Sequence, residues 1–143
     1  MTAAATRSDW VLLDTDVFSY LLGDKGALAE RYRPHVRNRR VAVSFVTVGE
    51  VYSGLFKRGL GPDRFQLVED RLAASVVVLP YTLDMCRAYG RLTLERTAQG
   101  SARTLGVHDR WIAAAALHYG LPLVTNNARN FRGLSGLDVI TET

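Results

Sequence analysis

Cysteine, lysine and long apolar runs are scarce in this chain of 143 residues, and each scarcity excludes a class of protein. The lone Cys86 has no partner for an internal disulfide, which excludes a disulfide-stapled scaffold and fits a reducing compartment. No apolar stretch approaches the ~20 residues that a membrane-spanning helix needs. The first residues also lack the apolar centre of a signal peptide. We therefore expect a cytoplasmic protein that does not associate with membranes.

The scarcity of lysine leaves arginine as the main basic residue. Of the 18 basic residues 16 are arginine, and the net charge is +4. Arginine contacts phosphate at two points and stacks on bases, so this composition permits a polyanionic ligand such as RNA. It does not require one, because surface arginine also follows genome composition and most charge runs are solvated helix ends.

The order of apolar runs and helical spacings predicts an α/β fold in one domain. The predicted strands are residues 10–13, 41–45, 75–79, 121–125 and 137–141. The predicted helices are residues 17–22, 27–37, 47–56, 63–74, 83–99 and 109–119. This alternation predicts a mostly parallel sheet of about five strands with helices on both faces. We divide the chain into a flexible N-terminal tail, residues 1–9, and a single domain, residues 10–143.

Short acidic side chains follow the predicted strands. Asp14 comes directly after the first strand, Glu50 lies just beyond the second, and Asp109 opens the last helix. Because the carboxyl ends of parallel strands form the ligand-binding edge of such sheets, we expect these acids to meet there. Hard cations such as Mg²⁺ and Mn²⁺ prefer carboxylate oxygens and also accept phosphate oxygens. The pattern therefore predicts divalent-metal phosphodiester chemistry, with the amide of Asn127 at the same edge.

Each acid also has a purely structural interpretation. Asp14 and Asp109 are ordinary helix-capping residues, and the Thr47-x-x-Glu50 spacing is that of a capping box. We likewise expect Asp63 to cap its helix. It is the accumulation of polar residues at several strand ends, and no single residue, that favours a metal site.

The histidines and the cysteine do not predict a competing site. His35, His108 and His118 have neither zinc-ligand spacing with cysteine nor an evident nucleophile partner. We expect His108 in a partly exposed loop and Cys86 in the core.

Four motifs stand in order along the chain: Val-Leu-Leu-Asp14-Thr-Asp, Ser44-Phe-Val-Thr-Val-Gly-Glu50-Val, His108-Asp109-Arg-Trp-Ile-Ala-Ala-Ala-Ala and Leu-Val-Thr125-Asn-Asn127-Ala-Arg-Asn-Phe131. Together they resemble PIN-domain ribonucleases of the VapC toxin type. The resemblance implies a three-layer α/β/α fold with a five-stranded parallel sheet and an endoribonuclease that depends on Mg²⁺, with Mn²⁺ as a substitute. It also implies a homodimer and neutralisation by a cognate VapB-type antitoxin.

Carried over residue by residue, the resemblance implies that Asp14, Glu50 and Asp109 bind the metal. Asn127 takes a fourth catalytic place that is often Asp in the family, and its neutral amide weakens the case for a second tightly held ion. The implied reaction is in-line attack of water on phosphorus without a covalent intermediate. Three arginines beside the motifs are candidates for holding RNA phosphates: Arg110, Arg129 and Arg132.

Two other functions fit parts of the sequence. Asp14 and Asp16 resemble the nucleophile and general acid of haloacid-dehalogenase-like phosphatases. Such enzymes need a later lysine and a late pair of acids, yet the only lysines are Lys25 and Lys57 and no paired acids follow Asp109. The second alternative is a non-catalytic RNA- or protein-binding module in which the acids only cap helices. The RNA target itself is not encoded in any residue pattern here.

Overall fold

The computed structural model describes residues 9–23, 26–97, 100–101 and 105–143, with the backbone alone described at residue 101. The helices are α1 Thr15–Gly23, α2 Gly26–Val36, α3 Phe45–Lys57, α4 Pro62–Ser75, α5 Leu83–Arg91 and α6 Val107–Tyr119. The strands are β1 Trp10–Leu13, β2 Arg40–Ser44, β3 Val77–Leu79, β4 Arg96–Thr97, β5 Gly100–Ser101, β6 Leu123–Val124 and β7 Val139–Ile140. None of the helices so described is long and apolar enough to cross a membrane.

Five of the strands form one parallel sheet in the order β3-β2-β1-β6-β7, which confirms the predicted sheet. At its centre Leu12 pairs with Ala42 on one side and with Leu123 on the other. The chain first runs from β1 outward to β2 and β3, and later returns to place β6 on the opposite side of β1. The carboxyl end of β1 is therefore a topological switch point, where open α/β sheets bind their ligands.

Alternation along the strands gives the sheet two apolar faces and the fold three layers. Leu12 points to a core shared with α5 and α6, whereas Val11 and Leu13 point to a core shared with α1 and α2. On α6 the four alanines of residues 113–116 are at most 1% exposed. Their small side chains let this helix lie close to the sheet, so its first turn is fixed relative to the end of β1.

The predicted helix over residues 83–99 is wrong beyond its first half. Helix α5 ends at Arg91, a single 3-10 turn covers Leu92–Leu94, and β4 then pairs antiparallel with β5. Residues 98 and 99 lie outside the described residues. Leu92 is 1% exposed, so its apolar character reflects core packing of the turn.

Three predicted helix-capping residues are corrected by the structure, and α1 begins at Thr15 and not at Val17. Helix α3 begins at Phe45 because the Ser44 hydroxyl accepts a hydrogen bond from Val46 N, 3.1 Å away, so Thr47 is not the cap. Helix α4 begins with Pro62 after Gly61, and Asp63 provides no cap. Helix α6 begins at Val107, which places Asp109 third in the helix.

Two further predictions on single residues are wrong. His108 lies within α6 and not in a loop. Cys86 is only half-buried on α5. The predicted tail falls mostly on residues 1–8, which lie outside the described residues, and the division into tail and domain stays a prediction.

Candidate active site

Asp14 occupies the switch point at the carboxyl end of β1. Its side chain is buried, at 6% exposure, and both carboxylate oxygens accept hydrogen bonds. The amide of Thr15 donates to Oδ1 at 2.8 Å, and the hydroxyl of Thr125, just after β6, donates to Oδ2 at 2.7 Å. Two neighbouring strand ends thus fix the orientation of this carboxylate.

Two more aspartates, Asp16 and Asp109, lie close enough to Asp14 to raise its pKa. Burial raises the pKa of Asp14 to about 7, and the negative charges of Asp16 and Asp109 add to that rise against the lowering effect of the Thr125 hydrogen bond. Burial also raises the pKa of Asp16 and of Asp109 above their usual values. The site therefore holds more negative charge than the protein alone compensates, which is the condition under which a cation binds.

Glu50 reaches this group from α3. Its Oε1 accepts a hydrogen bond from the Thr15 hydroxyl at 2.6 Å, and its Oε2 lies 3.0 Å from His108 Nδ1. The charge of Glu50 is close enough to Asp109 to raise the pKa of that carboxyl. The structure thus brings together the three predicted metal ligands, Asp14, Glu50 and Asp109.

The asparagines after β6 make contacts that differ from the predicted ones. Asn127 is exposed and uses its backbone N–H to donate to Thr125 Oγ1 at 2.9 Å. The side-chain amide that reaches an acid is that of Asn130, whose Nδ2 donates to Asp109 Oδ2 at 3.3 Å. The backbone N–H of Asn126 donates to Asp16 Oδ2 at 3.1 Å. A catalytic part for the Asn127 side chain stays a prediction.

Of the three predicted phosphate-binding arginines, Arg110 has another contact. Its guanidinium lies 4.2 Å from the centre of the Tyr89 ring, and it donates to the Tyr89 carbonyl at 3.2 Å. These contacts tie α6 to α5, so Arg110 has a packing role. Arg129 and Arg132 are exposed, and their contact with RNA stays a prediction.

Sequence reasoning missed several residues of the site. Asp16 entered only through the phosphatase alternative, and Thr15, Thr125, Asn130 and His108 received no role in orienting an acid. The helical spacing of α1 and α6 is the one sequence feature that indicates two of these residues. It places Asp16 and His108 in the first turns of helices that begin beside the sheet edge. Their contacts depend on elements distant in sequence.

The donor set suits a hard divalent cation, since it consists of carboxylate oxygens with a surplus of negative charge. Among the described residues, no three His, Cys, Asp or Glu side chains already stand in a geometry that could hold a metal ion. The oxygens of Asp14 are instead occupied by the two protein donors. Binding a cation would require these side chains to adjust.

The family model of the PIN domain matches residues 11–137. The chain belongs to the PIN-domain family. Ribonuclease VapC1 of Haemophilus influenzae strain R2866 is 31% identical to it over 127 residues, which are 88% of this chain and 92% of that protein. The tRNA(fMet)-specific endonuclease VapC of Shigella flexneri is 31% identical, with the same shares covered.

A solved structure agrees with these sequence comparisons. The structure of VapBC-1 from nontypeable Haemophilus influenzae superposes on this PIN domain with a TM-score of 0.69 and 28% identity, and covers 92% of this chain and 97% of that one. The recognition of a VapC-type PIN domain with an α/β/α fold is confirmed. The phosphatase alternative is wrong, because the whole matched range belongs to a different family.

Proposed function

We propose that this VapC-type PIN domain is an endoribonuclease that hydrolyses RNA phosphodiester bonds with Mg²⁺, for which Mn²⁺ substitutes because it has a similar preference for oxygen ligands. The observation that carries the proposal is the meeting of Asp14, Asp16, Glu50 and Asp109 at the switch point of the sheet. Ribonuclease VapC1 is similar along almost its whole length, which supports RNA as the substrate.

Asp14 and Asp109, with Glu50, would hold the cation. When bound, a divalent cation stabilises negative charge on the phosphate and lowers the pKa of water. The chain's own residues orient the acids: Thr125 holds Asp14 and Asn130 holds Asp109. Glu50, whose side chain is 30% exposed, is oriented by the hydrogen bond from Thr15.

A cognate VapB-type antitoxin is the proposed protein partner. The superposed structure from Haemophilus influenzae is of VapBC-1, which supports a partner of this kind. Homodimerisation stays a prediction implied by the family. A cytoplasmic location is also proposed, supported by the lone cysteine and by an RNA substrate.

The test is cleavage of total RNA by the purified chain, freed of any antitoxin, in Mn²⁺. We expect discrete fragments with the wild type and with Asp84→Asn, a matched control that neutralises an exposed acid of α5. We expect no fragments with Asp14→Asn or in EDTA. RNA left intact by the wild type across several divalent metals would contradict the proposal and favour the non-catalytic binding module.

A further inference from the structure

The carboxylate of Glu50 is contacted at both oxygens by residues of two other helices. Thr15, at the start of α1, donates to Oε1 at 2.6 Å. His108, in the first turn of α6, places Nδ1 3.0 Å from Oε2. The Thr15 hydroxyl also lies 2.9 Å from the hydroxyl of Thr47, which is fully buried. Because Thr15 has one proton and gives it to Glu50, it accepts the proton of Thr47.

Glu50 needs such restraint to stay where it is. Its side chain has three rotatable bonds and is 30% exposed, so rotamers that point into water are accessible to it. The like charge of Asp109 nearby also drives it outward. The hydrogen bond from Thr15 and the 3.0 Å contact with His108 Nδ1 oppose that movement, and His108 lies on the same helix turn as Asp109.

We propose that His108 is a positioning residue that holds the Glu50 carboxylate beside Asp109, through its Nδ1–H, so that both acids can bind one divalent cation. The inference rests on the proposed function, since it assigns Glu50 to the metal site. His108 and Asp109 are consecutive on α6, so one helix turn fixes both the ligand and the residue that orients its neighbour. Nδ1 donates in the charged ring and in the neutral tautomer that carries its proton on Nδ1.

The experiment measures Mn²⁺ affinity of the RNA-free protein by the electron paramagnetic resonance signal of the unbound ion. We expect His108→Ala to bind Mn²⁺ about 10-fold more weakly or worse, as is typical when a residue that orients a metal ligand is removed. His108→Asn should restore affinity, because its amide nitrogen stands at the position of Nδ1. His108→Gln should not, because its nitrogen stands at the position of Nε2. Val107→Ala is the matched control on the same turn.

A double-substitution test separates positioning from direct contact. In the Glu50→Ala background, His108→Ala should cause no further loss of Mn²⁺ affinity, because the group that it orients is gone. An equal loss in both backgrounds, rescue by Gln in place of Asn, or unchanged affinity in His108→Ala would overturn the proposal.

Asp14→Asn and RNA cleavage distinguish the two possible failures. If the wild type binds Mn²⁺ and cleaves RNA, and Asp14→Asn abolishes both while His108→Ala changes neither, only the role of His108 is refuted. If the wild type neither binds Mn²⁺ nor cleaves RNA, the proposed function fails and the role of His108 fails with it.

Discussion

Two hydrogen-bond donors partly stabilise the buried carboxylate of Asp14. Moving a carboxylate out of water is costly, and two donors, Thr15 N–H and the Thr125 hydroxyl, offset part of that cost. The pKa of Asp14 still rises to about 7, so the offset is incomplete. What remains is the electrostatic strain that a bound cation would relieve.

Thr125→Val tests this balance at nearly constant volume. It removes the donor to Asp14 Oδ2 and the acceptor of the Asn127 N–H, leaving two polar groups without their partners. We expect the free energy of unfolding to fall by about 1–3 kcal/mol, the usual cost of an unsatisfied buried polar group. Urea unfolding in EDTA measures it.

Thr93→Val, on an exposed threonine of the 3-10 turn, is the control for Thr125→Val. It should change stability by less than about 0.5 kcal/mol. Equal effects of the two substitutions would show that the Thr125 hydroxyl does not support Asp14.

At the scale of elements, α6 positions Asp109 and His108 because it packs closely on the sheet and its C-terminal end is well defined. Its buried alanines lie against the sheet, and its last turn stops at Gly120, whose φ of 67° is left-handed. An L side chain is strained there, which explains why a glycine closes the helix before β6. This end was predictable from sequence, because glycine after a helical period is a direct local signal.

Gly120→Ala should therefore destabilise the fold by about 1–2 kcal/mol through the left-handed backbone alone. Gly54→Ala is the matched opposite, because Gly54 lies inside α3 and an added Cβ would meet no atom within 4 Å. That change should stabilise the fold by about 0.5–1 kcal/mol. Thermal unfolding of both variants checks the signs, and a shared sign would contradict the argument.

Helix starts were less predictable than helix ends. Ser44 and Thr47 are both good caps, and local sequence cannot tell which one the helix uses. The structure uses Ser44 because Thr47 is fully buried, with its hydroxyl on Thr15. The predicted helix is wrong over residues 92–97 for a similar reason. Strands β4 and β5 are only two residues long, and so short a pair leaves no alternating pattern that would distinguish it from the end of a helix.

At the scale of the whole molecule, the parallel sheet assembles the site from segments far apart in the chain. Asp14 and Glu50 were predictable because each stands near the end of an apolar run, and parallel strands bring their carboxyl ends to one edge. Asp109 was predictable as the acid at the start of the last helix, where a helix N-terminus stabilises a carboxylate. The donors that orient them were not predictable. Thr125, Asn130 and His108 act through distances between elements, which no local period records.

The shared charge of this site gives the metal-free protein a pH dependence of known sign. Burial raises the pKa of Asp14, Asp16 and Asp109, so the folded chain binds more protons than the unfolded chain above the ordinary value of 3.8. For Asp14 the favourable contribution is complete below 3.8 and is lost as pH rises through about 7. Stability contributed by this group therefore falls as pH rises across that window.

Asp14→Asn removes the largest part of this effect, because its amide stays neutral at every pH. In EDTA we expect the variant to melt above the wild type at about pH 8, and the gap to shrink at about pH 5, where Asp14 is itself protonated. Asp84→Asn should follow the wild type at both values. Added Mg²⁺ should raise the melting temperature of the wild type at about pH 8 and leave Asp14→Asn unchanged, because binding to the folded state stabilises it. A gap between wild type and Asp14→Asn that does not change with pH would show that Asp14 is not held under electrostatic strain.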